Sequence, residues 1–438
     1  LENNTASSNT AVGALALDAN TSGGFNTAVG AESLEANTTA ANNVAVGWRS
    51  LHDNTSGAQN TAVGVSALAQ NQSAHNNIAV GFLALTANQT GVNNVAVGSL
   101  ALDAVTTSNN HVAVGFNSLS ANTSGEKNTG VGSSTLALNT TGEKNVAVGY
   151  VALEANETGS QNTAVGENAL ADNTTASGNT AVGAEALKFC QSGHSNNAVG
   201  TFALQDLTTA NHCTGIGKSA GASITTGASN VAVGNFSLMA ATTSANNTAV
   251  GVSALADVTT GNGLNTGIGV QAGADVTTGV NNLLLGFNAG RGSAPSGEIT
   301  TASNVICLGN NSITAAHVKV AFTTGSDRRD KTDIEDFKFG LDWINKMRPV
   351  TYRWDNRDWY ENGTPDGSKK ASQLELGLIA QEELEIEKEF GYADTKENML
   401  ISSVNSSGSY GMKYERIVPV LINAIKELSA KVTALEAG

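Results

Sequence analysis

The 438-residue chain carries 23 Lys/Arg against 38 Asp/Glu, a net charge of −15, which argues against nucleic acid as a partner because polyanion binding needs clustered cations. No apolar stretch reaches the ~18 residues that would span a bilayer, and no basic-then-apolar start resembles a signal peptide, so membrane insertion is not expected. Cys190, Cys213 and Cys307 show no CxxC or metal-ligand spacing; they read as buried thiols, with no metal site, and no motif calls for a cofactor.

The chain starts at Leu1 rather than Met, so the expectation is a fragment or processed product whose upstream anchor is missing. From there a repeat dominates. Glycines from Gly13 to Gly251 fall seventeen residues apart without a break, then Gly269 follows one inserted residue and Gly286 resumes the period. Typical units are "NTAVGAESLEANTTAAN" from Asn26 and "NTAVGVSALAQNQSAHN" from Asn60. Seventeen residues cannot hold a helix pair, and the Thr/Val-Ala-Val-Gly core is short, β-prone and bounded by Asn and Gly, so each unit predicts one coil of a β-solenoid. Sixteen steps from Gly13 to Gly286 at ~4.8 Å give about 77 Å; chains wound together about a shared axis would be longer.

An Asn stands four residues before nearly every glycine, with His111 and Cys213 as the exceptions. Stacked coils would set these amides above one another in a ladder, each donating to one neighbour and accepting from the other. The sequons that recur with the repeat, such as Asn20-Thr21-Ser22, fall out of it by arithmetic and are not read as glycosylation sites. The glycine is expected to supply a backbone angle or a close approach that a Cβ forbids. The expected apolar interior is the Val or Ile before the glycine and the Leu four after it, with Ala between. That volume is small, so association along the shaft is the expected remedy.

The "NTAVGxxAL…NTTG" unit resembles the repeats of bacteriophage tail-fibre shafts and, more loosely, the β-roll heads of trimeric autotransporter adhesins. The resemblance covers about residues 1–290 and implies a homotrimer. Trp48, Phe82, Phe116 and Tyr150 follow the glycine in alternate coils; such a row packs between chains or stacks on the sugar faces of a host-receptor glycan, and inter-chain packing is the preferred reading. Asp18 and Glu35 occupy equivalent positions in adjacent coils, at a separation that would suit a retaining glycosidase, yet no cleft-building insertion surrounds them.

After Gly290 the period fails. "RGSAPSGEITTASN" predicts a loop, and "NVICLGNNSITAAHVKVAF" a last β segment, so 291–325 is expected to be a β neck or linker. Charge then rises abruptly: residues 1–325 hold 7 Lys/Arg and 17 Asp/Glu, residues 326–438 hold 16 and 21. An α+β pattern follows over 326–438. "FKFGLDWINKMRP" has helical spacing that stops at Pro349, "VTYRW" alternates as a strand, and "LELGLIAQEELEIEKEF" passes from strand to helix. Val418, Leu421, Ile425, Leu428, Val432 and Leu435 are spaced as the a/d seam of a short coiled coil, which buries only against copies of itself.

"SDRRDKTDI", "RPVTYRW", "GLIAQE" and "MKYERIVPVLINAIKEL" resemble, in order, the intramolecular chaperone domain that ends endosialidase-type phage tailspikes and many tail fibres. The resemblance implies a domain that drives trimerisation of the upstream shaft and then severs itself through a Ser–Lys dyad, acting once on its own chain. It assigns Ser326 as nucleophile, Lys331 as base, and Asp327 and Arg329 as supporting residues. The cut is expected at or beside the peptide bond of Ser326, with Gly325–Ser326 preferred because Gly325 gives the backbone room to bend. The residue before the Lys is commonly apolar in that family and is Asp330 here; a neighbouring carboxylate favours the ammonium form of a base that must be neutral to act. Five residues are about 140° apart on a helix and on opposite faces of a strand, so Ser326 and Lys331 need a tight turn, or a Lys from another chain, to meet. The expected whole is a mainly β, homotrimeric attachment fibre of a virion tail, whose partners are itself and a host cell-surface receptor. A bacterial surface adhesin with the same shaft is the rival, and a glycan depolymerase the more distant one.

Overall fold

The computed structural model describes every residue except 1–4, Asn262, Thr314, Val320, Ala321, Thr323, Ser406 and Ser407, and the side chain of Asp358. The described chain divides into two compact units. The first runs to Ala289 and takes in Thr300–Leu308; the second comprises Gly290–Ile299 and Gly309–Gly438.

The first unit is a parallel β-solenoid with one coil per repeat. Eighteen three-residue strands, from β1 (Thr10–Val12) to β18 (Ile306–Leu308), form one sheet. Each pairs in register with the strand one repeat on, as Thr10 with Thr27 and Val97 with Val114. The inserted residue before Gly269 leaves this register intact, Thr248 still facing Thr266. Of the expected neck strand, Ile306–Leu308 is the final rung and pairs with Leu283–Leu285. Past Leu308 no further neck strand occurs among the described residues, and Thr314, Val320 and Ala321 of that segment lie outside them.

The interior corrects the expected one. In the unit N-T-A-V-G the Asn and the Ala point inward, while the Thr and the Val point out. Ala28, Ala62 and Ala113 are fully buried, as are Leu17, Leu34 and their counterparts four residues after each glycine, but the Val or Ile before the glycine reaches 36–43% exposure at Val131, Val182 and Ile216. The amide ladders also differ from expectation. In the Asn row before the strand, Oδ1 accepts the backbone N–H of the residue one repeat on, as Asn43 N to Asn26 Oδ1 at 3.0 Å, and in most coils Nδ2 donates to a carbonyl fourteen residues on, as Asn43 Nδ2 to Gly57 O. The amide-to-amide ladder belongs to the sequon row: Asn37 Nδ2 donates to Asn20 Oδ1 at 2.8 Å, and the pattern continues through Asn54, Asn71 and Asn88 and again from Asn122 to Asn173. These Asn are fully buried, which closes them to glycosylation. The ladder stops where Val105 and Cys190 replace Asn, and there Asn88 Oδ1 and Asn173 Oδ1 are buried with no partner.

The glycine column meets both reasons for glycine. Gly132 has φ +138°, and a Cβ on it would lie 2.3 Å from the carbonyl oxygen of Gly149 in the next coil. Neighbouring coils therefore touch backbone to backbone at this corner.

The second unit is small and built on one aromatic core. β19 (Val350–Tyr352) pairs antiparallel with β20 (Glu375–Gly377), and β21 (Ser402–Val404) with β22 (Tyr410–Met412). The helix expected before Pro349 is short, α1 (Leu341–Ile344), followed by α2 (Ala380–Glu389) and α3 (Ile417–Ala437). Trp343, Ile386, Ile401 and Val420 form the buried cluster, with Trp343 stacked on Phe390 at 4.8 Å and 9°. Two acids sit in this core with their needs met. Trp343 Nε1 donates to Glu383 at 2.8 Å, and Glu387 accepts the backbone N–H groups of Leu400, Ile401 and Ser402. Helix α3 uses Ile417, Val420 and Ala424 against this core. Its other face, Val418, Leu421, Ile425, Leu428, Val432 and Leu435, is 42–82% exposed.

Candidate functional site

The charged stretch at 325–331 folds into one tight turn. Asp327 is extended (φ −69°, ψ 133°) and its carboxylate accepts the N–H of Arg329 at 2.9 Å, which opens a single 3₁₀ turn over Arg328–Asp330. An Asp in this position satisfies a backbone donor that the short turn leaves free. Lys331 then leaves the turn extended, its N–H bonded to Arg328 O at 3.2 Å. The Arg329 guanidinium folds back on Asp327, with Nε at 3.1 Å from both carboxylate oxygens and Nη2 at 2.6 Å from one. This pair holds the Asp327 carboxyl below its usual range. Being exposed, it adds little stability but fixes the cap geometry.

The consequence is that Ser326 and Lys331 meet within one chain. Lys331 Nζ lies 2.6 Å from Ser326 Oγ. Of the two routes open to the pair, this conformation takes the tight turn. In the ammonium form Nζ donates to Oγ; to take the proton instead, the amine must be neutral, a state that lysine reaches on losing water. Both residues are exposed here. Gly325 has no positive φ, and a Cβ on it would meet nothing within 4 Å. This conformation therefore does not itself require a glycine at 325.

The four aromatic residues stand in one column at the corner after the glycine, 49% exposed at Trp48, 52% at Phe82, 55% at Phe116 and 59% at Tyr150. The intervening coils carry Val65, Ser99 and Ser133 there, so rings recur about every 9.6 Å with small side chains between them. Arg49 covers Trp48 at 5.7 Å from the ring centroid. Glu35 is engaged by His52 Nε2 at 3.1 Å, and His52 also faces Glu32 and Asp53; Arg49 lies 3.4 Å from Glu32. No local pattern in the sequence marks this five-residue cluster, whose members come together because coils stack. Cys190, Cys213 and Cys307 are buried thiols. Burial pushes Cys190 up to about 12, and its Sγ bonds the Gly193 carbonyl much as the Asn it replaces would.

Residues 326–392 match the family model described as chaperone of endosialidase. The C-terminal region carries an endosialidase-type chaperone domain. The match begins at Ser326 itself and takes in the 3₁₀ turn, α1, the β19–β20 pair and α2. The β21–β22 pair and α3 lie beyond it. No curated protein and no solved structure matches the chain.

Proposed function

We propose that the protein is a homotrimeric tail-fibre shaft for host attachment, with a shaft over 1–290, a neck over 291–325 and a self-releasing chaperone domain over 326–438. The carrying observation is the 2.6 Å contact between Lys331 Nζ and Ser326 Oγ at the first residue of the chaperone-domain match. The unpartnered seam of α3 supports the oligomer, since an apolar face this exposed gains stability only against copies of itself.

The role follows from the shaft's repetition. Three chains slipped by one coil would lose few contacts, because every coil offers nearly the same groups to its neighbours, so the repeats specify alignment poorly. A distinct end domain specifies it once. In the cutting step Ser326 Oγ attacks the Gly325 carbonyl carbon and Lys331, neutral after docking excludes water, takes the hydroxyl proton and passes it to the departing Ser326 amine. The C–N bond breaks as the C–O bond forms, and water then hydrolyses the ester. Asp327 and Arg329 hold the turn. With the chaperone gone, the trimer persists through a high unfolding barrier.

Intact mass under denaturing conditions tests this. The wild type should appear as a shaft fragment of about 325 residues and a released domain of about 113, since each step leaves the rest of the chain uncut. Ser326→Ala and Lys331→Ala should each remain one chain that still trimerises. A wild type that stays whole after folding, or a Ser326→Ala chain cut as fast, overturns the dyad.

A further inference from the structure

We propose that the outward face of the solenoid sheet is the seam on which three copies of this chain meet in register, with the Val/Ile column of each turned toward the common axis. The inference rests on the trimeric reading above and adds the surface that makes it.

Two columns cover that face. The residue before the glycine is Val, Ile or Leu in all eighteen rungs, from Val12 to Leu308. The residue two earlier is Thr, Val, Ile, Leu or, once, Asn. Neither column holds a single charge, although the solenoid carries charged side chains at its other corners, such as Glu35, Arg49, Glu126 and Lys188. Seventeen steps of ~4.8 Å by about 7 Å across two outward residues make a strip of roughly 570 Å² in projection. That is as large as the biggest apolar patch a monomer ordinarily leaves bare, and of the order each partner buries in a stable interface.

The chemistry of the strip selects its occupant. The strand N–H and C=O groups are spent on the neighbouring rungs, and the only side-chain polar groups on the strip are Thr hydroxyls and Asn197, so a glycan would find little to orient it. A second copy presents the same apolar column at the same rung spacing, and the α3 seam, which lies parallel in such a trimer, brings equal rungs to equal heights. The expected core of Val residues therefore exists between chains instead of within one.

Cysteine cross-linking of the full-length protein tests the seam, since the native thiols are buried. Val131→Cys and Val148→Cys each place a thiol on the column, and Ser124→Cys places one on another exposed face. Under mild oxidation about two thirds of the Val131→Cys chains should run as covalent dimers, because three thiols around an axis join one pair and leave one over. Val148→Cys should behave alike, and Ser124→Cys should not cross-link. If light scattering reports three chains while the column thiols fail to pair and react freely with maleimide, the seam is overturned and the trimer stands. Cross-linking of Ser124→Cys alone moves the interface elsewhere and overturns it too. A single chain in solution overturns both readings.

Discussion

The solenoid and the chaperone unit solve the same problem by opposite means. The solenoid buries amides as well as alkyl groups, and can do so because each buried Asn finds a partner exactly one coil away; its stability is a sum over many similar neighbours. The C-terminal unit has one core, gathered around Trp343, Ile386, Ile401 and Val420, with each buried acid served by partners that occur once. Repetition makes local structure robust and leaves alignment between chains poorly specified. A single irregular core does the reverse, and the turn that brings Ser326 to Lys331 belongs to that unit.

Four experiments sharpen this contrast, from the largest effect down. Trp343→Ala should cost about 4 kcal/mol, the range for emptying a buried aromatic site. It should unfold the C-terminal unit as a whole in denaturant titrations while the solenoid's circular dichroism holds; loss of both together would show that the two are one cooperative body. Gly132→Ala should cost about 3 kcal/mol, combining a φ of +138° with a clash against the Gly149 carbonyl. Its control is Gly325→Ala, which should leave thermal stability unchanged, since nothing surrounds that position.

The third concerns pH. Burial lowers His111 from 6.5 to about 4, so between those values the unfolded chain takes up a proton that the folded chain refuses. Stability is full above pH 6.5 and falls as pH drops toward 4, by on the order of 3 kcal/mol in all. His111→Asn, which restores the residue found in neighbouring coils, should flatten that part of the melting-temperature profile; an unchanged slope would place the titrating group elsewhere. The smallest effect is Val105→Asn. It offers a donor to the orphaned Asn88 Oδ1 and should raise stability by about 1 kcal/mol, the value of one net hydrogen bond. A loss of similar size would mean that the apolar packing of Val105 outweighs the ladder.

Much of the shaft was legible because a period of seventeen admits few structures. The one-coil repeat, the buried Leu, the glycine column and the stacked Asn follow from spacing and residue type. The inside of the strand did not. In N-T-A-V-G a period of two buries either Thr and Val or Asn and Ala, and hydrophobicity alone favours the first. The folded coil takes the second: its interior is narrow, Ala leaves room for the Leu opposite, and the Asn amides are needed inside, where Asn26 Oδ1 takes the N–H of Asn43 and its Nδ2 the Ala40 carbonyl. The amide-to-amide ladder of the sequon row was missed for the same reason, since nothing local tells a buried ladder from a surface Asn.

In the C-terminal region the exposed seam of α3 was readable from its 3-4 spacing, and the Ser–Lys pair from its resemblance, while the β21–β22 pair and the buried Glu383 and Glu387 were not: the strands are three residues each, and the acids are buried by partners outside their own helix, Trp343 for Glu383 and the N–H groups of Leu400, Ile401 and Ser402 for Glu387. By itself, then, the sequence determined the solenoid, its pitch, the glycine corner and the change of character at Ser326, all consequences of local pattern. Only the tertiary structure decided which side of each strand faces in, and that Ser326 and Lys331 lie 2.6 Å apart. The first depends on the width of a closed coil and the second on one 3₁₀ turn capped by Asp327, geometries that residue order permits without dictating.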